Sequence, residues 1–141
     1  MDVKKIIVAY DGSPGSKKAV EWAAMFASRF EARVTAVTVV KPPEFSPTID
    51  EVDEYFADAE QHYGPLLAEL QRDWAARGTT IQTKILRGHQ AESIVRYAAD
   101  QKADLIVIGT RGMGGFRNLI IGSVAQKVVS YSKVPVLVIK E

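Results

Sequence analysis

The sequence predicts a doubly wound α/β fold, with helices covering both faces of a parallel five-stranded sheet. Three observations carry this expectation. Five short runs rich in Val and Ile recur along the chain, segments of helical periodicity separate them, and most joins are short. Strands that alternate with helices pair in parallel through right-handed crossovers, which puts helices on both sides of the sheet.

The first run, Lys5 to Tyr10, contains the unbroken apolar stretch Ile6-Ile7-Val8-Ala9, as expected of a strand covered on both faces. Ser13 then offers an N-cap and Pro14 a first-turn proline, and Ala19, Ala23, Phe26, Ala27 and Phe30 recur at helical spacing. Val34 to Val40 is the second strand. An irregular loop with Lys41-Pro42-Pro43 and Ser46-Pro47 follows, then a helix carrying Val52, Tyr55, Phe56, Ala59, Tyr63, Leu66, Leu67, Leu70 and Trp74. Gly64-Pro65 removes a hydrogen bond inside that helix, so it either kinks there, the preferred expectation, or divides in two. The third run, Ile81 to Leu86, alternates apolar with polar and belongs near a sheet edge. Ala91, Ile94, Val95, Ala98 and Ala99 mark one helical face, Leu105 to Ile108 the fourth strand, Val124, Ala125, Val128 and Val129 a further helix, and Val134 to Ile139 the last strand.

The chain has 141 residues, 47% hydrophobic and 25% charged, which suits one domain spanning 1–141 with one well-buried core. A formal charge of +1 with interspersed signs gives no global field for nucleic acid or an anionic membrane. Cysteine is absent, which excludes disulfides, thiolate metal sites and thiol catalysis and suits a cytoplasmic setting. The N-terminus carries no signal-peptide pattern, and no run of about 18 apolar residues offers a membrane span.

In sheets of this kind ligands bind beyond the C-terminal strand ends, where the strand order reverses. If the order is 3-2-1-4-5, that point lies between the first and fourth strands. After the first stands Asp11-Gly12-Ser13, and after the fourth begins a segment from Gly109 through Thr110-Arg111-Gly112-Met113-Gly114-Gly115 to Gly122-Ser123. Glycine lets the backbone approach a ligand so that peptide N–H groups face phosphate oxygens. Gly122-Ser123 opens a helix whose free N–H groups and positive dipole end attract an anion, with the Ser123 hydroxyl as a further donor. Arg111 and Arg117 can add charge-assisted contacts. The segment lacks G-x-x-x-x-G-K-[ST], and G-x-G-x-x-G started at Gly112 fails at Arg117.

What remains is G-x-x-G, nine residues, then G-S: Gly109, Gly112, Gly122 and Ser123. With the opening Ile6 to Ser13, the Asp104 to Gly112 stretch and the closing Val134 to Ile139, this spacing resembles the nucleotide-binding motif of the universal stress protein family. The resemblance covers nearly the whole chain. It implies the 3-2-1-4-5 order and a subclass that holds ATP, with Asp11 beside the ribose and phosphates or their magnesium ion. It also implies that the backbone around Ala9 and Val39 borders the adenine. The segment from Gly109 to Val124, including Arg111, Gly112 and Met113, would wrap ribose and phosphates. The final strand, an apolar edge in this order, would pair with a second copy through Val134 to Ile139 in a homodimer. One departure stands out: His89-Gln90 follows Gly88, where the family often has a small or acidic residue and then proline.

Other candidates have plainer explanations. Asp11 also suits a turn or a helix cap. His62 and His89 are isolated rather than spaced as metal ligands, Glu51, Glu54 and Asp58 suit a solvated helix face, and Trp22 and Trp74 suit packing. Hydrolysis needs a positioned water and a group to orient it, for which Asp11 is the one candidate. A regulatory nucleotide-binding module, with no dedicated catalytic residue, is therefore expected ahead of a slow magnesium-dependent ATPase or a nucleotide-independent oligomeric stress protein.

Overall fold

The computed structural model describes residues 2–44, 48–110 and 121–140. Strands and helices alternate along them as β1 (Lys5–Ala9), α1 (Pro14–Phe30), β2 (Arg33–Val40), α2 (Ile49–Ala76), β3 (Ile81–Arg87), α3 (Gln90–Asp100), β4 (Leu105–Gly109), α4 (Ser123–Tyr131) and β5 (Val136–Ile139). The strands form one sheet in the order β3-β2-β1-β4-β5, with every pair parallel.

Burial explains the strand patterns. Ile6, Val8, Ile106 and Val107 are wholly buried, because β1 and β4 lie inside the sheet and are covered on both sides. β3 sits at an edge and alternates, with Gln82 and Lys84 exposed. On one face Ile6, Val8, Val34, Ala36 and Val107 pack against Ala19, Val20 and Ala23 of α1 and Leu67 and Leu70 of α2. On the other, Ile7, Val37, Ile106 and Ile108 pack against Ala91, Ile94 and Ala98 of α3 and Ala125 and Val128 of α4.

Local chemistry sets the helix ends. The Ser13 hydroxyl accepts the Ser16 N–H at 3.2 Å, capping α1 with Pro14 in the first turn. Thr48 caps α2 by accepting the Glu51 N–H at 3.3 Å. α2 runs unbroken through Pro65, so it does not divide. Pro65 is exposed, and water can reach the carbonyl that its missing N–H leaves without an intrahelical donor.

At the opposite end of the sheet from the helix caps, the Asp104 carboxylate ties β4 to β1. Its Oδ2 accepts the backbone N–H groups of Lys4 at 2.8 Å and Lys5 at 3.0 Å. These bonds favour the ionised form and hold the carboxyl below its usual range, with a smaller Coulombic contribution from Lys5. A carboxyl pKa that falls on folding contributes stability above the unfolded value, and this is lost as pH falls through the folded value. Asp104→Asn is expected to lower stability at neutral pH and to flatten its dependence on pH below about 4. Urea titrations between neutral and acid pH measure both effects.

Candidate functional site

The strand lengths leave a notch above β1. Ala9, its last residue, stands opposite Val37, while β2 continues beside β3 as far as Val40 opposite Arg87. On the other side β4 runs to Gly109, opposite Ile139 of β5. Thr38, Val39 and Val40 therefore form one wall, Gly109 and Thr110 the other, and the chain from Ala9 to Asp11 the floor. Ala9 and Val39 are partly buried and both belong to the face packed against α3 and α4.

The floor is fixed by a small hydrogen-bond network. The Tyr10 N–H donates to the Val37 carbonyl at 2.9 Å, and the buried Thr38 hydroxyl donates to the Tyr10 carbonyl at 2.7 Å. The Asp11 Oδ1 accepts the Ser13 N–H at 2.9 Å, closing a turn over Gly12. Ser16 Oγ accepts the Asp11 N–H at 3.3 Å and donates to the Ser13 carbonyl at 3.0 Å. Gly12 has φ +83°, a backbone conformation that calls for glycine, and a Cβ there would also crowd the tip of the Leu66 side chain at 3.0 Å. Asp11 is thus the turn former that its residue type suggests.

Tyr10 is buried just below. Burial raises its phenol pKa above the ordinary value, and Glu69, Asp11 and Asp73 raise it further. Its hydroxyl stays protonated at neutral pH.

The other wall is pinned by Thr110. Buried, it donates its N–H to the Ile139 carbonyl at 3.0 Å, and its carbonyl accepts the Gly122 N–H. The chain that leaves at Thr110 therefore returns at Gly122 beside the same peptide. Arg111, Gly112, Met113 and Arg117 lie outside the described residues. Gly122 is the N-cap of α4, with φ −67° and ψ 163° and no side-chain cap hydrogen bond among the described residues. Ser123 is exposed and Val124 partly buried. α1, by contrast, already has its end closed by Ser13. The first-turn N–H groups of α4 give this side of the notch its anion-attracting character.

Gly109 has a different reason for being glycine. A Cβ on it would lie 2.9 Å from the Gly15 carbonyl oxygen and 3.0 Å from the Gly15 carbonyl carbon. The first turn of α1 thus lies against the end of β4, beside the Gly109 wall of the notch. Thr38, Ser16, Thr110 and Gly15 were not among the expected site residues. Thr110 carried a signal as part of the segment that follows the fourth strand, and Gly15 as a second glycine at a helix start near the switch point.

A model of the universal stress protein family matches residues 2–140. The chain belongs to this family. It is 35% identical over 143 residues to a universal stress protein of Methanocaldococcus jannaschii, covering 98% of this chain and 82% of that one. Among solved structures, the universal stress protein UspA of Lactobacillus plantarum superposes with a TM-score of 0.88 at 29% identity, covering 99% of both chains. A universal stress protein in complex with cAMP has a TM-score of 0.72 at 27% identity, covering 99% of this chain and 98% of that one. Family membership and the observed sheet agree with the order expected from the sequence.

His62 and His89 are exposed, as are Glu51, Glu54 and Asp58. No group of three His, Cys, Asp or Glu side chains among the described residues is placed to hold a metal ion. Gly88, at φ +140°, leads into α3, whose N-cap His89 makes no side-chain cap hydrogen bond. The unusual His89-Gln90 pair therefore still begins the helix at Gln90. No helix among the described residues is long and apolar enough to cross a membrane.

Proposed function

We propose that this universal stress protein binds ATP in the notch above β1 and acts as a regulatory nucleotide-binding module in stress response. The observation that carries this reading is the closure at Thr110 and Gly122. It brings the start of a glycine-rich segment and the N-terminus of α4 to one side of the notch, facing the Asp11 turn. A related protein binds cAMP, which supports an adenine nucleotide as the ligand class. Adenine would lie against the backbone of Ala9 and Val39, while Gly109, Arg111, Gly112, Met113, Gly122, Ser123 and Val124 would enclose ribose and phosphates.

Magnesium fits this arrangement as a companion of the phosphates. Mg²⁺ characteristically takes one or two carboxylates together with phosphate oxygens and water, and Asp11 supplies a carboxylate at the floor. ATP supplies the phosphate charge, and the chain's part is to bind and orient it. The protein would work in the cytoplasm as a homodimer, with β5 and the preceding residues, Val134 to Ile139, pairing antiparallel to their copy. Its edge is apolar throughout Val136–Ile139, the kind of edge that invites pairing.

Equilibrium dialysis against ATP, ADP, AMP and cAMP tests the ligand assignment. ATP with magnesium is expected to bind most tightly, because the helix end and the glycine-rich segment gain most from a triphosphate. Tighter binding of cAMP would move the assignment to a cyclic nucleotide.

A further inference from the structure

α1 carries an aromatic stripe that the core does not absorb. Trp22, Phe26 and Phe30 follow one another at four-residue intervals. The Trp22 and Phe26 ring centroids are 6.4 Å apart, and the Phe26 and Phe30 rings stack at 5.9 Å. Trp22 is 41% exposed, Phe30 45% and Met25 40%. Phe26 is partly buried against the core. The expectation that Trp22 packs holds only in part, whereas Trp74 is partly buried against the same core.

The stripe faces the β5 side of the molecule. Ala27 and Ser28 line a cavity with Arg33, Val34 and Gln82, so that flank of α1 looks toward β2 and β3. Phe26 lies two residues before Ser28, about 200° around the helix axis, and therefore looks the other way, toward β4 and β5. Among the described residues α2 covers the β2 and β3 side of this face, and α1 is the helix on this face that reaches β5.

The two sheet edges differ. β3 carries Gln82, Lys84 and Arg87, the charged and polar groups that discourage edge pairing, and α2 shields it with a Gln71 side-chain amide that donates to the Ile81 carbonyl at 2.9 Å. β5 reads Val-Leu-Val-Ile without a polar side chain. Four strand residues meeting edge to edge cover far less than the roughly 1,200–2,000 Å² that a stable interface buries. Flanking helices must supply the rest.

We infer that Trp22, with Phe26 and Phe30 beside it, meets the same stripe of a second copy of this chain across the β5 dyad. This rests on the β5 pairing proposed above. Two copies joined by antiparallel β5 strands share one ten-stranded sheet with a two-fold axis perpendicular to it, so both copies of α1 lie on the same side. α1 packs chiefly on β1 and β4, so the two α1 axes are separated by four strand spacings, about 19 Å. Helices in direct contact lie about 8–10 Å apart. The remaining gap of roughly 9 Å is filled by large side chains from both helices and left open by small ones. That accounts for exposed aromatic residues on a helix whose core-facing positions are mostly alanine.

Sedimentation equilibrium on the full chain tests the inference. The wild-type protein is expected to dimerise, and Trp22→Glu to weaken the dimer by about 30-fold or more, the size of an interface hot spot, with an unchanged circular dichroism spectrum. Trp22→Phe should retain most of the affinity. In a Trp74→Phe background, Trp22 emission should shift to the blue as the protein is concentrated through the transition. A wild-type dimer that Trp22→Glu leaves as tight would overturn the aromatic contact and spare the β5 pairing. A wild-type protein that stays monomeric at every concentration would overturn both.

Discussion

Gly122→Val is expected to abolish ATP binding while leaving the fold in place. Gly122 has extended backbone angles, φ −67° and ψ 163°, which valine adopts without strain. It precedes α4 as an N-cap that contributes no side chain, so the cost to the unliganded protein is a weaker cap, about 1 kcal/mol or less. The consequence for the ligand is much larger. An isopropyl group at the mouth of the first turn occupies the space through which the N–H groups of α4 would reach phosphate oxygens. In the wild-type protein, ATP at 100 times its dissociation constant should stabilise the fold by about 2.7 kcal/mol. For a chain of this size that is a rise in Tm on the order of 10 °C. The variant should show no rise, and an unchanged affinity would place the site elsewhere.

Gly109→Ala is expected to act through the fold itself. The added methyl would press on the Gly15 carbonyl group, which is backbone in the first turn of α1 and cannot swing aside as a side-chain tip can. Overpacking of this kind costs about 1–3 kcal/mol, more than the fraction of a kilocalorie gained by replacing a strand glycine. A urea titration should show a lowered midpoint with an unchanged slope. Relief of the clash would push α1 from β4 and shift the Asp11 turn that leads into it, so affinity for ATP should fall in the variant as well. Unaltered stability would mean that the contact with Gly15 is not the reason for glycine at this position.

These two glycines show how far the sequence carries. Spacing, the switch-point position and the family resemblance together placed Gly109 and Gly122 in one expected phosphate-binding motif, and the structure puts them on either side of Thr110. Yet the absent Cβ at Gly109 makes room for a helix. At Gly122 the residue opens α4 while its N–H returns to the Thr110 carbonyl. A linear pattern records which residues are small and cannot record what each is small for. The strands were legible because burial on two faces demands continuous apolar runs in β1 and β4, and the edge position of β3 showed in its alternation. α2 was legible as a helix, but not its continuity, since Gly64-Pro65 permits either outcome and packing against the sheet decides between them. Beyond its Ser13 cap and Asp11 turn, the polar network was hidden for another reason. It joins β2 to the β1–α1 turn across 28 residues at its longest link, and hydroxyl side chains carry no periodic signal. Trp22 was expected to pack, as a large apolar residue usually does. Its exposure became visible only when the sheet showed that, among the described residues, α1 has no helical neighbour toward β5.

The central claim is that the notch above β1 holds ATP, and calorimetric titration of the purified full-length chain with ATP and magnesium tests it most directly. Saturable binding of one nucleotide per chain, lost in Gly122→Val, is the predicted result. Absence of binding heat at several temperatures, together with no thermal shift at millimolar ATP and magnesium, would contradict it.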